Sequence, residues 1–121
     1  MTKAPDVRIR RIYEGSSPQD GKRILVDRLW PRGVSKQAAH IDEWLKAVAP
    51  STDLRRWYGH EPDKFGEFKR RYAGELADAN HAEAWRHLVE EAASGTITLL
   101  TATKEINRSE AAVLAEWLMA T

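Results

Sequence analysis

Three consecutive aliphatic residues, Ile24, Leu25 and Val26, form the most strand-like stretch of this chain. A strand with one solvated face alternates apolar and polar residues, whereas an unbroken aliphatic run is typical of a strand covered on both faces. We therefore expect residues 23–29 to form an internal strand. Helices must then pack on both sides of the sheet, which favours an α/β fold with a short, mostly parallel sheet.

Two other segments have the pattern of strands. Residues 7–13 begin with alternating apolar and cationic residues, as in a strand with one solvated face, and residues 96–101 are rich in β-branched and aliphatic residues. A long helical segment separates the second and third strands, so these two can lie parallel. The carboxyl ends of parallel strands meet at one edge of the sheet. The loops at residues 30–36 and 102–107 are therefore expected to lie close together, where ligands of open α/β sheets bind.

The helices are predicted from apolar residues spaced three and four apart. This spacing predicts helices near residues 52–58, 62–76, 82–93 and 108–118, and a short helix over residues 38–48. Asn107 and Glu110 have the spacing of a capping box, which would start the last helix at Arg108. Trp85 and Trp117 lie on the apolar stripes of their helices, so we expect both to be largely buried.

Length and composition limit the class of protein. A chain of 121 residues is typical of one domain, here expected to span residues 1–121. The chain contains no cysteine, which excludes disulfides and thiolate catalysis and favours the cytoplasm. It also has no apolar run of the length that spans a bilayer and no signal-peptide core, so we expect no contact with a membrane.

The loop that follows the central strand has the composition of a binding site for an anion. Trp30-Pro31-Arg32-Gly33-Val34-Ser35-Lys36 combines cations, a rigid turn and an aromatic face. Lys104 precedes the last helix, whose N-terminus adds free N–H groups. We therefore expect a small anionic or phosphorylated ligand, bound by Arg28, Trp30, Arg32, Lys36, Trp57, Lys104 and Asn107. Asp27 and His60 are the candidates for proton chemistry, although the sequence does not establish that a reaction occurs.

Other functions have weaker support. The four histidines and the acidic residues lack recognisable metal-ligand spacing, and no phosphate-loop or nucleophile-elbow motif is present, so we expect no metal and no cofactor. Residues 1–36 contain nine Lys and Arg against four Asp and Glu, although the whole chain has a net charge of only +1. This basic segment, with Arg8, Arg10 and Arg11, leaves open a nucleic-acid or regulatory-partner binding module. A purely structural role for the loop at residues 30–36 is a third alternative.

Several motifs together resemble a known family. Val26-Asp27-Arg28-Leu29-Trp30-Pro31-Arg32-Gly33 is the most specific, and Trp44-Leu45-Lys46, Ala49-Pro50-Ser51 and Thr98-Leu99-Leu100-Thr101 add to it. The chain resembles the YeaO-like proteins of the domain of unknown function 488 family over nearly its whole length. The resemblance implies a small α/β domain with no established activity. Wider members of the family carry Cys-His-Arg in the last loop, where this chain has Ile106-Asn107-Arg108.

Overall fold

The computed structural model describes residues 5–120, which form a parallel sheet with helices on both faces. The strands are β1 (Val7–Arg11), β2 (Lys22–Leu25), β3 (Glu43–Trp44) and β4 (Ile97–Thr101). The helices are α1 (Lys36–Ala39), α2 (Thr52–Tyr58), α3 (Phe65–Leu76), α4 (Ala82–Ser94) and α5 (Glu110–Met119), with 3₁₀ turns at Pro18–Asp20, Lys46–Val48, Pro62–Lys64 and Ile106–Arg108. The predicted α/β class is confirmed. Within residues 5–120, no helix is long and apolar enough to cross a membrane.

The sheet has the order β1-β4-β2-β3, and every described pair of neighbouring strands is parallel. Leu99 of β4 is the register partner of Ile9 on one side and of Ile24 on the other. The predicted parallel arrangement of β2 and β4 is therefore confirmed. As a consequence, the segments that follow these two strands leave the sheet at the same edge.

Successive residues of the two central strands bury their side chains on opposite faces of the sheet. Ile24 and Leu99 pack in the larger apolar cluster, whereas Leu25 and Leu100 pack in the smaller one. All four side chains are fully buried. This arrangement explains why the aliphatic run is unbroken, since each face of the strand has its own core.

A buried ion pair supports the start of β2. The Arg23 guanidinium bonds the Asp20 carboxylate at 2.6 Å and donates to the carbonyl oxygens of Ala39 and His40. Burial alone would raise the pKa of Asp20, but the Ser17 N–H and the Arg23 guanidinium outweigh it and lower that pKa. The neighbouring Gly21 has φ +63°, and a Cβ there would lie 2.1 Å from the Thr96 carbonyl oxygen. Only glycine fits at this close approach between two strands.

The predicted helix over residues 38–48 is wrong. Helix α1 ends at Ala39, and Glu43 and Trp44 instead form the short edge strand β3, paired with Ile24 and Leu25. His40 takes a left-handed conformation with φ 49°, which ends α1.

Two further predictions about helices need correction. Helix α5 begins at Glu110, and its N-cap is Ser109, whose hydroxyl accepts the Ala112 N–H; Asn107 lies in the preceding 3₁₀ turn. Trp85 and Trp117 are half-buried instead of largely buried. They pack edge-to-face on the rim of the core with ring centroids 6.5 Å apart.

Candidate functional site

An open cavity of about 830 Å³ lies at the edge of the sheet where β2 and β4 end. The segment after β2 contributes Asp27 to Arg32, and the segment after β4 contributes Ala102 to Lys104. Helix α2 and the start of α5 form the remaining walls. The cavity is within the range of volumes that small-molecule sites occupy.

Six cationic side chains line this cavity. They are Arg28, Arg32, Arg55, Arg56, Lys104 and Arg108. Arg108 has a loose ion pair with Glu105 at 3.8 Å. For the other five, no carboxylate within the described residues 5–120 lies at ion-pair distance. The cations of the cavity therefore outnumber the two carboxyls, Asp27 and Glu110, that line it with them.

Two of these arginines also have a buried nitrogen without a hydrogen-bond partner. The Nε atoms of Arg28 and Arg108 are both shielded from solvent, and neither contacts an acceptor within the described chain. An unsatisfied buried donor costs about 1–3 kcal/mol, so such groups are uncommon in folded proteins. A bound oxyanion is a strong acceptor for guanidinium groups of this kind.

A pair of carboxyls lies among these cations. Asp27 accepts hydrogen bonds from the Thr101 hydroxyl at 2.7 Å and the Ala102 N–H at 2.8 Å, so it joins the ends of β2 and β4. The Glu110 carboxyl lies 3.5 Å from the same Thr101 oxygen and is in hydrogen-bond contact with Asp27. Burial raises the pKa of Glu110 well above its usual range, and the Asp27 carboxyl raises it further. Glu110 therefore keeps its proton to a higher pH than an exposed glutamate.

The rim of the cavity is partly apolar and is held in place by hydrogen bonds. Leu29 is 65% exposed there. The Trp30 indole donates to the Val34 carbonyl at 2.6 Å, and its ring lies edge-on to Trp44 at 5.4 Å. The Tyr13 hydroxyl donates to the Arg32 carbonyl at 3.3 Å. These contacts hold the basic loop in one conformation.

His60 lies on the same cavity in a strained conformation. It follows Gly59, the C-cap of α2, and its φ of 58° lies in the left-handed region, which residues other than glycine rarely adopt. Its ring centroid lies 5.9 Å from that of Tyr58, whose hydroxyl donates to the Arg108 carbonyl. His40, which ends α1 away from the cavity, has a similar φ of 49°.

The structure brings six of the predicted site residues together and leaves three elsewhere. Those that line the cavity are Asp27, Arg28, Trp30, Arg32, His60 and Lys104. Lys36 is exposed at the start of α1, and Asn107 is exposed in a 3₁₀ turn. The Trp57 ring faces away and carries the Arg71 guanidinium at 3.9 Å.

The sequence prediction placed the N-terminus of the last helix at this edge but missed the side chains of Arg55, Arg56 and Glu110. Arg55 and Arg56 follow a clear N-cap at Ser51, and both line the cavity because α2 begins beside the edge of the sheet. Glu110 was interpreted only as part of a cap. The pair Arg55-Arg56, which follows the capped start of α2, is the one signal in the sequence that indicates this wall of the cavity.

A second polar cluster lies away from the cavity. Ligand atoms of Glu43, His87 and Glu91 lie within 4.8 Å of one another, a spacing that the sequence did not reveal. Lys22 already occupies this cluster, with its ammonium 2.8 Å from Glu91 and 3.7 Å from Glu43. Lys22 therefore supplies one positive charge to this pair of carboxylates.

Comparison with known proteins places the chain in a family. Residues 6–121 match the family described as the inactive DUF488-N3 subclade. The chain belongs to this family. An uncharacterised protein of Mycobacterium tuberculosis is 44% identical over 118 residues, which cover 98% of each chain. The uncharacterised protein YeaO of Escherichia coli is 39% identical over 113 residues, covering 93% of this chain and 96% of YeaO. No solved structure matches the chain significantly.

Proposed function

We propose that this member of the DUF488-N3 subclade binds a small phosphorylated or otherwise anionic ligand in the cavity at the end of β2 and β4. The observation that carries the proposal is the group of five cations without an ion-pair partner among the described residues. Like charges held close together repel, and an anion removes that repulsion. Arginine is well suited to the role because its planar guanidinium binds phosphate and carboxylate through two donors.

A binding role without catalysis fits these observations best. The family carries the description inactive, and the chain lacks the cysteine needed for thiol chemistry. Asp27, one of the two candidates for proton chemistry, is already occupied by Thr101 and Ala102. We therefore assign Asp27 to holding the two loops together and His60 to contacting the ligand.

The alternative function, nucleic-acid or partner binding through the basic N-terminal segment, has less support. Arg8 pairs with Asp6, and Arg10 pairs with both Glu14 and Asp20. Arg11 stacks on the Tyr13 ring at 5.0 Å. Arg8 and Arg10 are therefore paired within the protein, whereas Arg11 has no ion pair among residues 5–120 and its buried Nε has no hydrogen-bond partner there. A nucleic-acid complex would also lose affinity steeply as salt rises, which a titration at two salt concentrations would detect.

The first prediction tests the anion site. Inorganic phosphate and ribose 5-phosphate should raise the melting temperature of the wild type, because a ligand that binds only the folded state stabilises it. Arg55→Gln, Arg32→Ala and Lys104→Ala should each weaken binding by about tenfold, as expected for the loss of one charge-assisted hydrogen bond. Thermal shift and isothermal titration measure both effects.

Arg86→Gln is the matched control, since Arg86 is exposed on α4 and does not line the cavity. It should bind phosphate as the wild type does. If no anion raises the melting temperature, or if the cavity variants respond as the control does, the loop is structural and the proposal is wrong.

A further inference from the structure

The polar cluster of Glu43, His87 and Glu91 combines two kinds of donor atom that bind zinc. His87 and Glu91 lie one turn apart on α4, and Glu43 comes from the edge strand β3. One ligand atom from each residue lies within 4.8 Å of the other two. Zinc binds imidazole nitrogens and carboxylate oxygens, and three protein ligands with a water in the fourth position are a common set. The sequence predicts no metal here, because β3 and α4 are far apart along the chain.

The distances within the cluster are close to those of a zinc site. The His87 Nε2 atom lies 2.8 Å from the Glu43 Oε2 atom and 3.4 Å from the Glu91 Oε1 atom. With zinc bonds of about 2.0–2.2 Å, the ligand atoms of a tetrahedral site lie roughly 3.3–3.6 Å apart. The contact to Glu91 already has this length, and the contact to Glu43 would lengthen by about half an ångström. The three side chains are half-buried, so an ion can reach them from solvent.

The charges of the cluster leave room for a further cation. The Lys22 ammonium lies 2.8 Å from Glu91 Oε2 and 3.7 Å from Glu43 Oε1, which are the oxygens turned away from His87. One ammonium against two carboxylates leaves one negative charge in excess when His87 is neutral. The Glu43 Oε1 atom is also shielded from solvent and accepts no hydrogen bond from the residues that the structure describes. A buried acceptor without a partner is uncommon in folded proteins, so Lys22 does not use the full capacity of the cluster.

We propose that Glu43, His87 and Glu91 bind a divalent transition-metal ion, with zinc as the best match, between β3 and α4. The ion lies on the side of the carboxylates that His87 contacts, and Lys22 is a competing cation beside it. The imidazole makes the site selective, because Mg²⁺ and Ca²⁺ prefer oxygen donors whereas zinc also accepts nitrogen. The site is separate from the anion cavity, which none of these four residues lines.

The tautomer of His87 that zinc requires meets no opposition from the fold. A neutral imidazole binds a metal through Nε2 when its hydrogen is on Nδ1. The Nδ1 atom of His87 has no hydrogen-bond partner in the part of the chain that the structure describes. The bound ion would tie Glu43, one of only two residues in β3, to a helix of 13 residues. Zinc should therefore also raise the melting temperature.

Calorimetry of the untagged protein with Zn²⁺ and with Mg²⁺ tests the site. Zinc should bind the wild type at one equivalent and at least about tenfold more tightly than Mg²⁺. His87→Ala should weaken zinc binding by at least about tenfold, since the loss of even an outer-shell partner of a metal ligand has an effect of that size. Lys22→Met should strengthen zinc binding by about tenfold, because it removes a like charge from beside the ion.

His40→Asn and Lys36→Met are the matched controls. Each removes an exposed residue of the same type that lies outside the cluster, and both variants should bind zinc as the wild type does. Co²⁺ serves as a spectroscopic probe of the geometry. It should give the intense visible absorption of tetrahedral coordination in the wild type and lose it in His87→Ala.

Four outcomes would overturn the proposal. The first is the absence of zinc binding by the wild type. The second is equal zinc binding by His87→Ala and His40→Asn, which would place the ion elsewhere. The third is binding of Mg²⁺ as tight as that of zinc, which would indicate unspecific attraction to the carboxylates. The fourth is a zinc affinity that Lys22→Met leaves unchanged. If His87→Ala does not fold, Glu43→Gln provides the same comparison with a side chain of unchanged shape.

Discussion

At the scale of single residues, the arginines of this protein fall into two groups with opposite environments. Arg23 is buried and fully engaged, with Asp20 and the carbonyls of Ala39 and His40 as partners. Arg55 and Arg56 are exposed, and no carboxylate among the described residues pairs with them. A buried charge must have partners to persist, so Arg23 serves stability, whereas the unpaired arginines at the cavity are available to a ligand.

Because Arg23 is buried and Arg86 is exposed, we expect substitution of Arg23 to lower stability strongly and substitution of Arg86 to have little effect. Arg23→Ala leaves the buried Asp20 carboxylate with the longer Arg10 contact at 3.4 Å as its remaining ion pair and should lower the free energy of unfolding by about 3–5 kcal/mol. Arg86→Ala removes an exposed side chain and should change it by less than about 0.5 kcal/mol. Urea denaturation measures both. A loss at Arg23 no larger than at Arg86 would mean that water reaches Asp20.

At the scale of elements, the three longer strands could be predicted from their residue patterns, whereas the two-residue edge strand β3 could not. The run Ile24-Leu25-Val26 in and after β2 is aliphatic, and all five residues of β4 are buried, as is typical of strands covered on both faces. β3 is an edge strand of two residues, Glu43 and Trp44, whose position depends on pairing with β2 and on the Trp44 indole donating to the Asp27 carbonyl. No local pattern records these long-range contacts, and so the segment was predicted to be a helix.

In the candidate site, the residues that follow strands could be predicted from the sequence, whereas those on helices could not. Arg28, Trp30, Arg32 and Lys104 follow strands whose parallel arrangement could be inferred, and all four line the cavity. The missed residues lie on helices, and the sequence does not show which helix faces the edge of the sheet. Trp57 shows the opposite error. The sequence analysis places it in the site, but its side chain lies on the other side of α2 from Arg55 and Arg56 and stacks on Arg71.

The start of α5 supports a prediction that separates two capping residues. Ser109→Ala removes the hydroxyl that accepts the Ala112 N–H and should lower the free energy of unfolding by about 1 kcal/mol. Asn107→Ala should change it by less than about 0.5 kcal/mol, because Asn107 is exposed and does not cap the helix. Parallel urea titrations of the two variants give the comparison. A larger loss of stability in Asn107→Ala than in Ser109→Ala would instead support a capping box formed by Asn107 and Glu110.

At the scale of the whole molecule, the cavity and the stability of the fold are linked through Asp27. This residue joins the ends of the two central strands by accepting from Thr101 and Ala102, and it also places its carboxyl against Glu110 in the cavity. Burial and the neighbouring Asp27 carboxyl both raise the pKa of Glu110, so ionising Glu110 at this point of the sheet lowers the stability of the fold.

The pH dependence of stability should reveal this cost at Glu110. Its pKa is raised in the folded state, so the folded protein binds more protons than the unfolded chain once the pH exceeds about 4.3, the ordinary value for glutamate. Stability therefore falls as pH rises from there through the folded-state pKa, and the loss is complete above it. Glu110→Gln cannot ionise and should be more stable than the wild type at mildly alkaline pH, with the difference shrinking toward pH values near 4. Urea denaturation across this range measures the difference, with Glu83→Gln as the exposed control. The contrary outcome is a difference in unfolding free energy between wild type and Glu110→Gln that does not change with pH. It would show that Glu110 ionises as an exposed residue does, because a group makes stability depend on pH only when its pKa differs between the folded and unfolded states.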